Sequence, residues 1–166
     1  LWSFTPWGAP HTKSTTMSAA SPLQPTLWRT CRVLANRTRL RLLKLLFHQP
    51  GLSVSAVAER LDLSLSRASL SLRALEARGL LTARRVGSQV IYRPSPAPVT
   101  EAAQALVPAL RLALQRDAAA VEEIFKLSTA FTHPRRIELF RILKNQEQTL
   151  RQLQASTKMS GWALRR

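Results

Sequence analysis

Acidic side chains are scarce: nine Asp and Glu stand against 25 Lys and Arg in 166 residues, and residues 1–58 contain none. Cysteine is scarcer still, with Cys31 alone. One thiol excludes an internal disulfide framework and a four-thiolate zinc site, and makes a reducing cytoplasm the default compartment. His11, His48 and His133 are scattered, so no cluster of metal ligands is expected. No apolar run approaches the roughly 18–20 residues of a membrane span. A Gly-rich phosphate loop is missing, and so is any Cys/His or Ser/His pairing with catalytic spacing. These absences argue against an enzyme and against a bound cofactor.

The chain that remains is 45% apolar, ordinary for a folded protein, and carries a net charge of +16. Residues 1–93 hold 14 basic and 3 acidic side chains, and residues 94–166 hold 11 and 6. Twenty of the basic residues are Arg, whose planar fork matches phosphate and guanine edges. A one-sided excess of this kind points to a polyanion, nucleic acid first.

Residues 1–26 are rich in Pro, Ser and Thr without periodicity and read as a disordered arm, or as sequence upstream of a start at Met17. Leu27–Ala35 reads as a short helix with Trp28, Cys31 and Leu34 on one side, Cys31 as a buried, inert thiol. Asn36 is placed to cap a helix over 37–48, with Leu40, Leu43, Leu46 and Phe47 at helical spacing. Gln49-Pro50-Gly51 breaks it. Ser53 caps a third helix over 54–61, and Asp62-Leu63 makes a tight connection. Ser64 caps a fourth helix of about 65–78, which Gly79 ends. Leu81–Val86 and Gln89–Tyr92 flank Gly87-Ser88, a hairpin signal. Ser95-Pro96-Ala97-Pro98 reads as a linker. A long Ala/Leu-rich helix follows from Thr100, and Asp117 caps another through about Phe131. The apolar positions Ala103, Leu106, Val107, Leu110, Leu112 and Leu114 of the long helix cover more than one face, so it needs a partner surface.

The expected fold is mainly α with a small β-hairpin: a helix-turn-helix followed by a wing. At about 100° per residue, Ala68, Leu72, Leu75 and Gly79 of the fourth helix face the core. Ser66, Leu70 and Arg73 face outward, flanked by Arg67 and Ser69. That face is small, hydroxylated and basic, suited to a major groove about 12 Å wide. Arg67 and Arg73 would reach guanine edges or phosphates, and Ser64, Ser66 and Ser69 would hydrogen-bond nearby. Leu70 would meet a thymine methyl, or be half-buried if the helix is slightly rotated. Arg84, Arg85, Ser88 and Gln89 sit near the hairpin tip, with Arg93 after it. They would lie over the backbone or minor groove, positioning the protein without reading sequence.

Residues 34–92 resemble the ArsR-type (arsenic-repressor-like) winged-helix regulators of prokaryotes. The resemblance rests on five segments in order: Leu34-Ala35-Asn36-Arg37-Thr38-Arg39-Leu40, Leu52-Ser53-Val54 through Ala58-Glu59-Arg60-Leu61, Leu63-Ser64-Leu65-Ser66, Leu72 through Leu81, and Arg84 through Tyr92. It implies a sequence-specific, DNA-binding repressor, usually a homodimer, often released by a metal or another chemical signal. Two departures stand out. Leu52-Ser53-Val54-Ser55-Ala56 lacks the thiol motif of metal-sensing members. Ser69 is followed by Leu70-Ser71 rather than by Arg-His, so the family's base preference is not carried over.

Offsetting the sequence by 97 residues pairs Asn36 with His133, Leu40 with Ile137, Leu43 with Phe140 and Leu46 with Leu143. After a one-residue deletion Ser53 pairs with Thr149, Leu63 with Met159 and Ser64 with Ser160. The expected organisation is therefore an arm (1–26), a winged helix (27–94), a linker and helix (95–119), and a second, truncated copy (120–166). Arg165-Arg166 falls inside a predicted helix, so the sequence reads as a fragment of a longer chain. The partner expected is double-stranded DNA, engaged by a homodimer or a tandem pseudo-dimer, without membrane association. The other reading is a basic winged-helix module that binds RNA or a protein. Exposed aromatics on a sheet would favour RNA, and the wing offers only Tyr92.

Overall fold

A computed structural model describes residues 26–95, 101–117 and 119–165. The predicted arm, apart from Thr26, and the linker after Ser95 lie outside these residues. Helix α1 spans Leu27–Leu34 and α2 spans Arg37–His48. Asn36 separates them in an extended conformation, and its side chain accepts from the Arg39 N–H at 3.0 Å. Strand β1 is Leu52–Ser53, α3 is Val54–Arg60 and α4 is Leu65–Glu76. Ser53 caps α3 through the Ala56 N–H.

Strands β2 (Thr82–Val86) and β3 (Gln89–Arg93) form the hairpin. Val86 pairs with Gln89 across Gly87-Ser88, and Gly87 has φ +59°. A glycine with positive φ at the first loop position is what a two-residue hairpin of this hand requires. Gly79, at φ +70°, turns the chain out of α4 and towards β2 in the same left-handed region. Thr149, His133 and Asp117 act further along: α5 (Glu101–Arg116), α6 (Ala120–Ala130), α7 (Pro134–Asn145), α8 (Leu150–Thr157) and α9 (Gly161–Arg165) complete the chain. Asp117 accepts from the Ala120 N–H, His133 Nδ1 from the Arg135 N–H, and Thr149 makes a reciprocal capping box with Gln152.

The first helix ends at Leu34, with Ala35 as its C-cap, the hairpin strands run from Thr82 and to Arg93, and three further differences from the sequence reading bear on the site. The sheet has three strands in the order β1-β3-β2, because Leu52 pairs with Tyr92 and Ser53 with Ile91. A two-residue strand has no alternation to betray it. Helices α3 and α4 end at Arg60 and Glu76, one and two residues early, where Leu61 and Ala77 become C-caps. Tyr92 is not displayed by the wing: it is 4% exposed and packs in the core.

That core is leucine-built. Leu34, Leu40, Leu42, Leu43, Leu46, Leu72, Leu75, Leu80 and Leu81 are buried together with Val57. Each buried Leu contributes roughly 1.5–3 kcal/mol by leaving water. Helix α5 lays Val107, Leu110 and Leu114 into this cluster, buries Ala103 near its start and leaves Leu112 exposed. Pro108 lies within α5 on its exposed side. Helix α6 packs on α1, α2 and α5. Among the described residues no helix is long and apolar enough to cross a membrane.

Candidate nucleic-acid interface

The turn before α4 is made by Asp62 in a left-handed conformation, φ +50°, which a short polar side chain tolerates. The Leu63 N–H donates to the Ala58 carbonyl at 2.9 Å and locks α3 to the turn. Ser64 then caps α4, its hydroxyl accepting from the Arg67 N–H at 3.3 Å. This hydroxyl is therefore engaged in holding the helix start, and its ability to serve a ligand is shared with that role.

Ala68, Leu72 and Leu75 anchor one side of α4 at 0% exposure. That fixes the rotation of the helix. Ser66, Arg67, Leu70 and Arg73 are exposed, and Ser69 is half-buried. Leu70 is 69% exposed, so the rotated arrangement that would shelter it does not occur. Ser71 turns inward instead. The outward stripe holds two guanidiniums, three hydroxyls counting the cap, and one isobutyl group. Leu65, 59% exposed, adds a second apolar contact at the first turn. The sequence reading passed over Leu65 because its type suggests core; its place in the first turn, beyond the last packed layer, is the signal.

On the hairpin, Arg84, Arg85, Ser88 and Gln89 are all exposed. Strand alternation sends Arg84 and Arg85 to opposite faces of the ribbon. Arg84 shares its face with Thr82, Val86, Ile91 and Arg93, which line a concavity of about 190 Å³. Val86, 55% exposed, is a further apolar group that type alone would assign to a core. No ion pair among the described residues involves Arg67, Arg84 or Arg85. Their charge is thus not neutralised internally.

Arg73 links helix and wing. Burial pushes the Tyr92 phenol above its ordinary value and Glu76 adds to the rise, while Arg73 opposes both by its charge and a hydrogen bond. Arg73 of α4 thus lies close enough to Tyr92 of β3 to act on its phenol, while itself remaining exposed. Cys31 is buried, which raises its thiol and keeps it protonated. Among the described residues no three His, Cys, Asp or Glu side chains are grouped as metal ligands would be.

Residues 36–82 match the model of a family described as winged helix-turn-helix DNA-binding. The chain is 36% identical to the homodimeric winged helix-turn-helix DNA-binding domain of a possible ArsR-family transcriptional regulator from Mycobacterium bovis. That match covers 52% of this chain and 72% of the other, with a TM-score of 0.43. The chain belongs to the winged helix-turn-helix DNA-binding family. Similarity extends to the regulator HlyU of Vibrio vulnificus, 32% identical over 49% of this chain and 79% of that one, TM-score 0.39. HlyU of Vibrio cholerae is 31% identical, over 49% of this chain and 80% of its own, at the same TM-score. No curated protein sequence matches. The residues matched by the family model run from the Asn36 cap of α2 to the first residue of β2, and so include α3, the turn and α4.

Proposed function

We propose that the protein is a sequence-specific regulator of transcription that binds double-stranded DNA and represses by occupying the site it reads. One observation carries the reading: the outward face of α4 is small, hydroxylated and basic, with Leu70 held 69% exposed beside an exposed basic wing. In this reading α4 enters the major groove through its first two turns. Ser66, Arg67, Ser69 and Leu70 read base edges, and Arg73, next to Tyr92, works from the groove's rim. Arg84, Arg85, Ser88 and Gln89 lie on phosphates or in the minor groove, with Ser64 on the nearest phosphate. A free isobutyl group suits a thymine methyl and suits little else in a polar groove.

Burial of Tyr92 weakens the RNA alternative, since base stacking on this sheet has no exposed aromatic to use. A reducing cytoplasm fits both the duplex target and the protonated Cys31. The domain organisation proposed is a reading unit over 27–94, a connecting stretch over 95–119, and a second winged-helix-like unit over 120–166. Helices starting at Arg37 and Pro134, at Val54 and Leu150, and at Leu65 and Gly161 support it, because the offsets match the sequence repeat.

The test is a selection from random duplexes followed by titration of the winning sequence with variants. Arg67→Ala is expected to lose roughly 1–3 kcal/mol of discrimination at one base pair. Arg84→Ala is expected to weaken all duplexes alike. Equal loss on every sequence for both variants would overturn the groove geometry. A reporter driven by the selected site checks repression: its output is expected to fall when the protein is present.

A further inference from the structure

Equivalent positions of the two halves meet across one interface. Helix α1 packs on α6, and the 97-residue offset relates Leu27, Cys31 and Leu34 to Ile124, Ser128 and Phe131. All six side chains line one apolar cavity of about 300 Å³, closed on one side by α5. A patch that meets its own counterpart is the mark of a twofold contact, in which position i faces j and j faces i. Two units related by translation alone would bring different faces together.

We infer that α1 and α6 form an internal pseudo-twofold interface, so that a single chain pairs two reading units where a homodimer would otherwise be needed. The inference rests on the duplex-reading function proposed above. In the paired arrangement α3–α4 of the first unit and α8–α9 of the second are the two helix-turn-helix elements. The pairing is also asymmetric in a way that selects it. Arg37 Nε and Nη2 donate to the two carboxylate oxygens of Glu122 at 2.8 and 2.7 Å, and its guanidinium sits 3.7 Å above the Phe125 ring. Under the same offset Arg37 becomes Pro134, Glu122 becomes Pro25 and Phe125 becomes Trp28. Two first units brought together would lack the acid, and two second units would lack the guanidinium. The clamp therefore favours first against second. α5, packed on both α2 and α6, keeps the two on one chain, where their effective concentration exceeds that of a separate partner.

Sedimentation equilibrium of the 166-residue chain, alone and on a selected duplex, tests this. The expected species is one chain of 18.6 kDa at every concentration, and one chain per duplex with a footprint of two half-sites about 34–36 Å apart. A chain that self-associates as concentration rises, or two chains per footprint, overturns the inference while leaving duplex reading intact. A single-chain mass without sequence-selective binding removes the function but leaves the interface. Charge reversal gives an independent readout. Glu122→Arg is expected to speed amide exchange in α6 several-fold, and Arg37→Glu in the same chain to restore it, both independent of protein concentration. Exchange in α6 that ignores both changes contradicts the clamp.

Discussion

Leu70 and Leu72 share a helix and a residue type, yet their environments are opposite. Leu72 is fully buried, so Leu72→Ala should cost about 2–5 kcal/mol of stability, read from thermal or denaturant unfolding. Leu70→Ala should change stability by less than about 0.5 kcal/mol and lower duplex affinity instead, read by titration. The difference between these neighbours was legible in the sequence, because at about 100° per residue Leu70 lies about 200° around the helix from Leu72 once Ala68 and Leu75 are assigned inward. Tyr92 was not legible. Its alternation partner Val90 and its terminal place in the wing suggest display, and only the pairing with Leu52 and the packing of α2 and α3 on β3 bury it. A tertiary contact decides that residue, not its local pattern. The raised phenol has a consequence at alkaline pH. Because the folded state holds this proton more tightly than the unfolded chain, its contribution is complete below about pH 10 and is lost as pH climbs through the raised value. Unfolding midpoints should therefore fall more steeply above pH 10 for the natural chain than for Tyr92→Phe.

At the scale of elements, caps and breakers carried most of the reading. Asn36, Ser53, Ser64, His133, Thr149 and Ser160 each accept a backbone N–H at a helix start, and each is visible as a polar residue before an apolar period. β1 escaped because two residues hold no period. Matched starts do not mean matched stability. Leu43 and Leu46 of α2 are fully buried, whereas their counterparts on α7, Phe140 and Leu143, are 52% and 47% exposed. Fewer buried apolar groups mean cheaper local opening. Native-state hydrogen exchange should therefore find α7, α8 and α9 opening well before α2 and α4, with α6 protected along with the first unit. Uniform protection across both halves would contradict this difference in packing.

For the whole molecule, the net charge of +16 is not spread evenly: the first 93 residues carry +11 of it, and Arg67, Arg84 and Arg85 are without acidic partners among the described residues. Such a surface binds polyanions with a strength that salt erodes, at about 0.9 log units of affinity per log unit of salt for each neutralised phosphate. Charge alone gives no sequence preference. The groups that supply preference are the few on α4, and their contribution should survive as salt rises while the electrostatic part falls. The central claim, that α4 reads duplex sequence while the wing holds the backbone, is tested most directly by one titration series. A selected duplex and a scrambled duplex of equal length are titrated across salt concentrations. The account predicts a steep linear loss of affinity for both, with the selected duplex remaining on the order of a thousandfold tighter or more. Equal affinity for the two duplexes, or binding indifferent to salt, would contradict it.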